Sequence, residues 1–330
     1  MYGYVKCALS KLCFDKCKYC KCLPPLGQLP SLKTLYIDEL SGVVTVGAEF
    51  YGINGSNSAR KAFASLEFLR CLPANLEIRN CENLEFPMHH DSVKTSLQMV
   101  SISKSCGVSD GLQYQHGLTC LSGLRIRGCL KFISFPNGGL HAPNLTSLIV
   151  AGCKKLENLP EQMANLLPSL EGLCIIDCPE VESFPEGGLP SNLRRLEIQN
   201  CSKLIAQRAK WNLQKLQALT YFELIGGEGV ESFPEEGLLP STLTHLVMYG
   251  FTSLKRLDIK ALQQLTSLAG LEIESCPELQ NLPQQKLPTS LTALHINKCP
   301  ILKKRCRRDK GKDWNKISHI PVIYIDNKII

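Results

Sequence analysis

Apolar residues recur in this chain on two scales. Over the short scale, leucine, isoleucine or valine alternate with other residues, as in LTALHINKC from Leu291 to Cys299. Over the long scale the whole phrase returns. Clean copies of L-x-x-L-x-[IVL]-x-x-C begin at Leu121, Leu145, Leu170, Leu193, Leu268 and Leu291, and altered copies at Leu9, Leu32, Pro73, Leu97, Leu219 and Leu243. From Pro73 onward successive starts lie 24, 24, 24, 25, 23, 26, 24, 25 and 23 residues apart. The period of two predicts a short strand, with the leucine and the isoleucine two residues later on one face and their neighbours on the other. The longer period predicts stacked units rather than an ordinary globular core.

Repetition of this phrase at this period is the signature of a leucine-rich repeat. One repeat is too small to fold by itself. Ordering each of its backbone positions costs roughly 1–2 kcal/mol, and a buried Leu or Ile returns roughly 1.5–3 kcal/mol. Neighbouring coils that share their buried faces and backbone hydrogen bonds close the gap. The expected fold is therefore an α/β-type solenoid, a leucine-rich-repeat horseshoe with a parallel sheet on the concave face. Segments leaving the strands follow C-x-x-Φ-x-x-[LF]-P, as in CKKLENLP and CPELQNLP, and proline resists helix. Return segments alternate between Gly/Pro-rich stretches (GGLPSNL, EGLLPSTL) and short helix-like turns (EQMANLLPSL, NLQKLQALT, ALQQLTSL). The convex side should be mostly irregular and helix-poor.

The division expected is a solenoid of about twelve repeats over residues 1–302, irregular at 40–96, and a basic C-terminal cap segment over 303–330. The array starts almost at once, at Leu9, so sequence upstream of the chain is expected. The register breaks at LEFLRC, Leu66 to Cys71, because another motif begins at Pro73. Either a repeat has been lost there or 66–71 is a spacer. At the other end, Trp314, Ile317, Ile320 and Val322–Ile325 are expected to close the core, with the lysines and arginines between 303 and 312 as a solvated surface; a nucleic-acid-binding or nuclear-signal reading of that run is weaker.

The 17 cysteines raise a disulfide reading, but register argues against it. Cys17, Cys81, Cys129, Cys153, Cys178, Cys201, Cys276 and Cys299 all take the last motif position, where a small buried side chain with a weak donor is wanted. They are read as reduced thiols, which fits a reducing compartment. Cys17, Cys20 and Cys22 in CKYCKC have half the spacing of a zinc site; with no second Cys/His pair near in sequence they are read as repeat residues, and no metal or other cofactor is expected. The sequence has neither a secretory signal nor an apolar run of the ~20 residues a membrane span needs, and the two sequons at Asn144 and Asn200 abut repeat strands. The net charge of +7 is not clustered on the expected working face, so nucleic acid is not the expected partner.

Two segments are more specific than the repeat itself: LPPLGQLPSLKTLYI, Leu23 to Ile37, and VGAEFYG, Val46 to Gly52. Together with the ending from Cys299 to Ile329 they resemble the leucine-rich region of plant intracellular disease-resistance proteins, the coiled-coil class of nucleotide-binding leucine-rich-repeat receptors. The resemblance covers essentially all of the chain. It implies a recognition module of innate immunity, in the cytoplasm or also in the nucleus, that senses a pathogen effector or a guarded host protein and restrains a nucleotide-binding switch domain. The sequence has no G-x-x-x-x-G-K-[ST] phosphate loop, so nucleotide binding does not carry over. A free-standing adaptor or decoy, and a truncated non-functional remnant, are the alternatives; the fused repeat favours the latter.

No catalytic motif is present, and an enzyme is not expected. His89-His90 reads as a surface pair and Trp211 as packing for a convex turn. Function is assigned to the outward strand positions, the residues before, between and after the two inner apolar ones. Positive charge is expected at Arg125, Arg127 and Arg195, negative charge at Glu197, Glu223, Glu272 and Glu274, and Tyr221, His245, Tyr249 and His295 complete the candidate protein-binding set. Tyr and Arg anchor many interfaces, and opposite charges orient partners.

Overall fold

The computed structural model describes residues 122–129, 132–135 and 138–330, preceded by the strands β1 (Lys11–Asp15), β2 (Thr34–Asp38), β3 (Asn75–Arg79) and β4 (Met99–Ser103). The chain divides into two compact units, Met1–Leu170 and Glu171–Ile330. Both are built from the same coil. Each motif copy contributes a five-residue strand, and within each unit successive copies pair in parallel, as a leucine-rich-repeat solenoid requires.

In the first unit β1 to β4 are followed by β5 (Gly123–Arg127) and β6 (Ser147–Ala151), each parallel to the one before. β2 pairs directly with β3, Leu35 beside Leu76, so the copy at Pro73 supplies the strand that follows β2. Leu66–Cys71, His89, His90, Cys17, Cys20, Cys22 and Cys81 lie outside the described residues. The inner positions of β5 and β6 (Leu124, Ile126, Leu148, Val150) are buried together with Leu145, Leu156 and Phe132.

The second unit contains β7 (Gly172–Ile176), β8 (Arg195–Gln199), β9 (Tyr221–Ile225), β11 (His245–Tyr249), β13 (Gly270–Glu274), β14 (Ala293–Asn297) and β15 (Val322–Ile325), parallel and in register throughout. β16 (Lys328–Ile329) turns back antiparallel on β15. On the outer side β10 (Ser232–Phe233) and β12 (Arg256–Leu257) form a small parallel pair. Helix is scarce among the described residues: α1 (Met163–Leu166) in the first unit; in the second α2 (Ser202–Ala206), α3 (Ile259–Gln264), α4 (Pro300–Arg305) and α5 (Trp314–Ile317). α1, α3 and a 3-10 turn at Leu213–Lys215 coincide with the helix-like return segments. α3 is capped by Asp258, whose carboxylate accepts from the backbone N–H of Lys260 and Ala261.

Strand exit follows one rule. The residue before the motif cysteine has positive φ in every described repeat: Gly128, Gly152, Asp177, Asn200, Gly226, Gly250, Ser275 and Lys298. This turn aims the backbone N–H sideways along the stack. In the second unit Asp177 donates to Gln199, Asn200 to Ile225, Gly226 to Tyr249, Gly250 to Glu274 and Ser275 to Asn297, at 2.9–3.0 Å. A backbone donor at each strand end is thus satisfied by the next coil. The following cysteines, Cys178, Cys201, Cys276 and Cys299, are buried and donate their S–H to the last strand carbonyl, as Cys201 does to Gln199 at 3.2 Å. Burial pushes the Cys201 thiol up to about 12. None of the nine described cysteines is in a disulfide. Thr220, Thr244 and Thr292 repeat the device at strand entry, each hydroxyl donating to a carbonyl one coil back.

Two coils depart from the cysteine rule together. Gly227 takes the cysteine position after β9 and Phe251 the one after β11. A Cβ on Gly227 would lie 2.4 Å from the Phe251 ring. The ring occupies the space that Gly227 leaves, is fully buried, and meets Phe233 at 5.4 Å. Trp211 is a packing residue, buried between Phe184 and Phe222.

Candidate protein-interaction face

Alternation puts three side chains of each strand on the side away from the core, and the burial pattern follows: β6, β7, β9 and β14 alternate half-buried and buried positions without exception. Of the eleven candidate residues, Arg125 and Arg127 belong to β5 in the first unit. Arg125 is half-buried and Arg127 exposed, and neither has a carboxylate partner among the described residues. The other nine belong to the second unit, where most of them form one connected surface.

That surface is organised around Arg195 and Tyr221, in register on β8 and β9. The guanidinium carbon of Arg195 lies 3.8 Å from the centre of the Tyr221 ring, a cation–π contact. Its Nε donates to Glu197 on the same strand. Glu197 also accepts from the Cys174 thiol at 3.3 Å. The Tyr221 hydroxyl donates to Glu223 at 2.6 Å, and Gln199 donates to the other oxygen of Glu223 at 3.0 Å. Burial and this bond to a carboxylate both raise the pKa of the Tyr221 hydroxyl, so it stays protonated as a donor. The Tyr221 ring stacks on His245, centroids 6.5 Å apart, and His245 Nδ1 meets the Thr244 hydroxyl at 3.0 Å. The His245 ring has room because its neighbour in register is Gly270, where a Cβ would lie 2.7 Å from it.

Further along, Glu272 stands on β13 between Val247 and His295. The His295 ring packs on Tyr324 at 4.5 Å. Glu274 is paired with Lys298 at 2.9 Å, and Tyr249 is 37% exposed. Arg195 does not act as a free positive pole as the sequence suggested. Residues two apart on a strand share a face, so Glu197 neutralises it. Sequence reasoning placed Tyr324 among core-closing residues, whereas its neighbours Ile323 and Ile325 are buried and Tyr324 joins the face. The alternation in VIYI carried that signal. Cys174 and Gln199 belong to the network as well; they are outward by the same rule, but nothing in their residue types marks them.

Among the described residues no group of three or more His, Cys, Asp or Glu side chains is placed to hold a metal ion, and no helix is long and apolar enough to cross a membrane. The face offers hydrogen-bond donors, carboxylates and aromatic rings on a rigid sheet, which is binding chemistry.

No protein-family model matches the sequence. Relatives were found among known proteins. A putative disease resistance protein of Arabidopsis thaliana is 34% identical over 327 residues, which is 97% of this chain and 21% of the relative. A putative disease resistance RPP13-like protein 1 of the same plant is 29% identical over 46% of this chain and 19% of its own length. TMV resistance protein N of Nicotiana glutinosa is 25% identical over 67% of this chain and 19% of its own. The solved leucine-rich repeat domain of the type III effector XopL aligns with 83% of this chain and 71% of that one, at 18% identity and a TM-score of 0.37. The chain spans about a fifth of the length of the curated relatives it matches. With the repeat, its strands and this likeness together, the chain is a leucine-rich-repeat homologue of plant disease resistance proteins.

Proposed function

We propose that the chain is a protein-recognition module of plant defence, the pathogen-sensing and autoinhibitory repeat region of an intracellular resistance receptor. The observation that supports this most is the ordered face of the second unit, on a chain homologous to disease resistance proteins along 97% of its length. Tyrosine, arginine and histidine side chains there are held in place by one another before any partner arrives, which lowers the entropy cost of binding. The partner is a pathogen effector or a guarded host protein, with a nucleotide-binding switch domain as the second contact. Binding, not a reaction, is the output, and the compartment is the cytoplasm, with the nucleus as a further site.

The test is charge reversal on the face. The full chain carrying Arg125→Glu, Arg127→Glu and Arg195→Glu is produced in leaf tissue, and both defence-associated cell death and candidate-partner binding are followed against wild type. A changed response at equal protein level supports the reading. Identical cell death and identical binding for every candidate partner would count against it and favour a remnant.

A further inference from the structure

The face of the second unit already holds one guanidinium, and the manner of its holding defines what the neighbouring surface can take. Arg195 is sandwiched between an aromatic face, Tyr221 at 3.8 Å, and a carboxylate, Glu197. A planar guanidinium is suited to both contacts at once. The same two chemistries meet again around Glu272 on β13, where the described residues place no cation against the carboxylate. Glu272 is exposed and has no cationic partner among the described residues. It rises beside Val247 and Gly270, with the His245 ring across Gly270 on one side and the His295–Tyr324 stack on the other. On the far side of Val247, Glu223 accepts hydrogen bonds from the neutral donors Tyr221 and Gln199, and the Arg195 guanidinium one strand back acts on it through space without a bond. Two strand spacings separate Glu223 from Glu272, roughly 10 Å. Glu274 differs from both, being paired with Lys298.

We propose that this part of the face receives an arginine-bearing segment of a partner protein. One guanidinium bonds to Glu272 and stacks on the flanking rings, and a second cation answers Glu223 across Val247. The assignment rests on the reading of this face as a recognition surface, and it names the chemistry of what is recognised. Arginine suits the position better than lysine, because an ammonium carries no plane to stack.

The experiment uses the full chain and a fluorescein-labelled peptide of alternating arginine and glycine, with lysine and citrulline counterparts, followed by anisotropy. The arginine peptide is expected to saturate, the lysine peptide to bind about tenfold more weakly, and the neutral citrulline peptide not to bind. Glu272→Gln should weaken the arginine peptide about tenfold, and Glu223→Gln by a smaller factor. Glu272→Asp should retain most of the affinity, and Glu186→Gln, at an exposed carboxylate on the outer side, all of it. Thermal melts that match wild type show that the variants are folded. The proposal is overturned if the arginine peptide does not bind, if lysine and arginine peptides are equivalent, or if Glu186→Gln weakens binding as much as Glu272→Gln. It is overturned also if sedimentation shows self-association that Glu272→Gln abolishes, since the occupant is then a second copy of the chain. An unresponsive peptide together with a changed leaf response after charge reversal would remove the arginine assignment and leave the recognition role standing.

Discussion

The interior coils of the second unit and its C-terminal segment solve the same problem by different means. Each coil exposes backbone donors and apolar side chains that the next coil must cover. Between β8 and β14 the solution is repetitive: a left-handed residue passes its N–H to the next strand's last carbonyl. After β14 no further motif copy follows, and side chains stand in for backbone. The N–H of Lys298 goes to the Asp326 carboxylate at 3.0 Å. The apolar end is covered by Ile317, Ile320, Ile323 and Ile325, all buried. The segment is fastened by Asp313, whose side chain is fully buried and receives Arg305 through two bonds, Lys316 at 2.7 Å and the Leu282 N–H at 3.2 Å. Repetition distributes stability over many equivalent contacts, whereas the end concentrates it in a few residues. Substitutions should therefore be local at the end and graded within the coils.

The largest effect is expected inside the coils, where they depart from their own rule. Phe251→Ala removes a fully buried ring from the space beside Gly227 and should cost about 3–5 kcal/mol, read by chemical denaturation. Phe251→Cys should cost nearly as much by itself, because Gly227 leaves the space empty. Adding Gly227→Cys puts cysteine at the motif position of two successive coils, as at Cys178 and Cys201 or Cys276 and Cys299, and should recover part of the loss. If the double variant is less stable than Phe251→Cys, the exchange of Gly/Phe for Cys/Cys is not the compensation proposed here.

Next comes Asp313→Ala. Breaking a buried pair by removing one partner costs about 3–5 kcal/mol when both charges are buried. Arg305 remains partly exposed, so about 2–3 kcal/mol is expected. Hydrogen exchange should show the loss confined to residues 282–330. The pH dependence has a definite sign. Burial works to raise the Asp313 pKa, but its bonds from Arg305, Lys316 and Leu282 outweigh that and leave it below the ordinary aspartate value of 3.8. A carboxylate with a lowered native pKa contributes stability that is complete above its unfolded value and fades as pH falls towards the native one. Wild type and Asp313→Ala should therefore differ fully at neutral pH and converge below 3.8. A constant gap down to strongly acidic pH would mean that Asp313 acts by shape and not by charge.

These contrasts follow what was legible in the sequence. Strand positions were readable because both constraints on them are local. Leu196 and Ile198 must face inward and Arg195, Glu197 and Gln199 outward, and the strand found is Arg195–Gln199. The left-handed turn was visible in principle as Gly, Asp or Asn before the cysteine, though Ser275 and Lys298 obscure it. Other features depend on partners from different coils. Nothing near Gly227 announces that Phe251 will fill its space, and Asp313 reads as one acid in a basic run until Leu282 and Lys316 close on it. The helix Ser202–Ala206 was missed because it occupies an outgoing segment, where the coils after Cys153, Cys178 and Cys276 are extended; Pro300–Arg305 takes the same place after Cys299. On the face, the eleven candidate positions were readable by alternation, but the neutralisation of Arg195 and the joining of Tyr324 to His295 are pairings between side chains, which a one-dimensional pattern does not state.

The smallest effect expected is also the most direct test of the comparison. Asp326→Ala removes the carboxylate that stands in for the missing carbonyl, together with its ion pair to Lys303. The ion pair is solvent-exposed and adds little. The hydrogen bond to the Lys298 N–H contributes about 1 kcal/mol. If the side chain does replace backbone here, Asp326→Asn should keep most of the stability, because the amide oxygen still accepts from that N–H while the charge is gone. Equal destabilisation by the alanine and asparagine variants, abolished at high salt, would instead make Lys303 the important partner. In that case Asp326 would act through its charge and not as a substitute for a carbonyl, and the likeness to the interior turns at Asn200 and Ser275 would fail at Lys298.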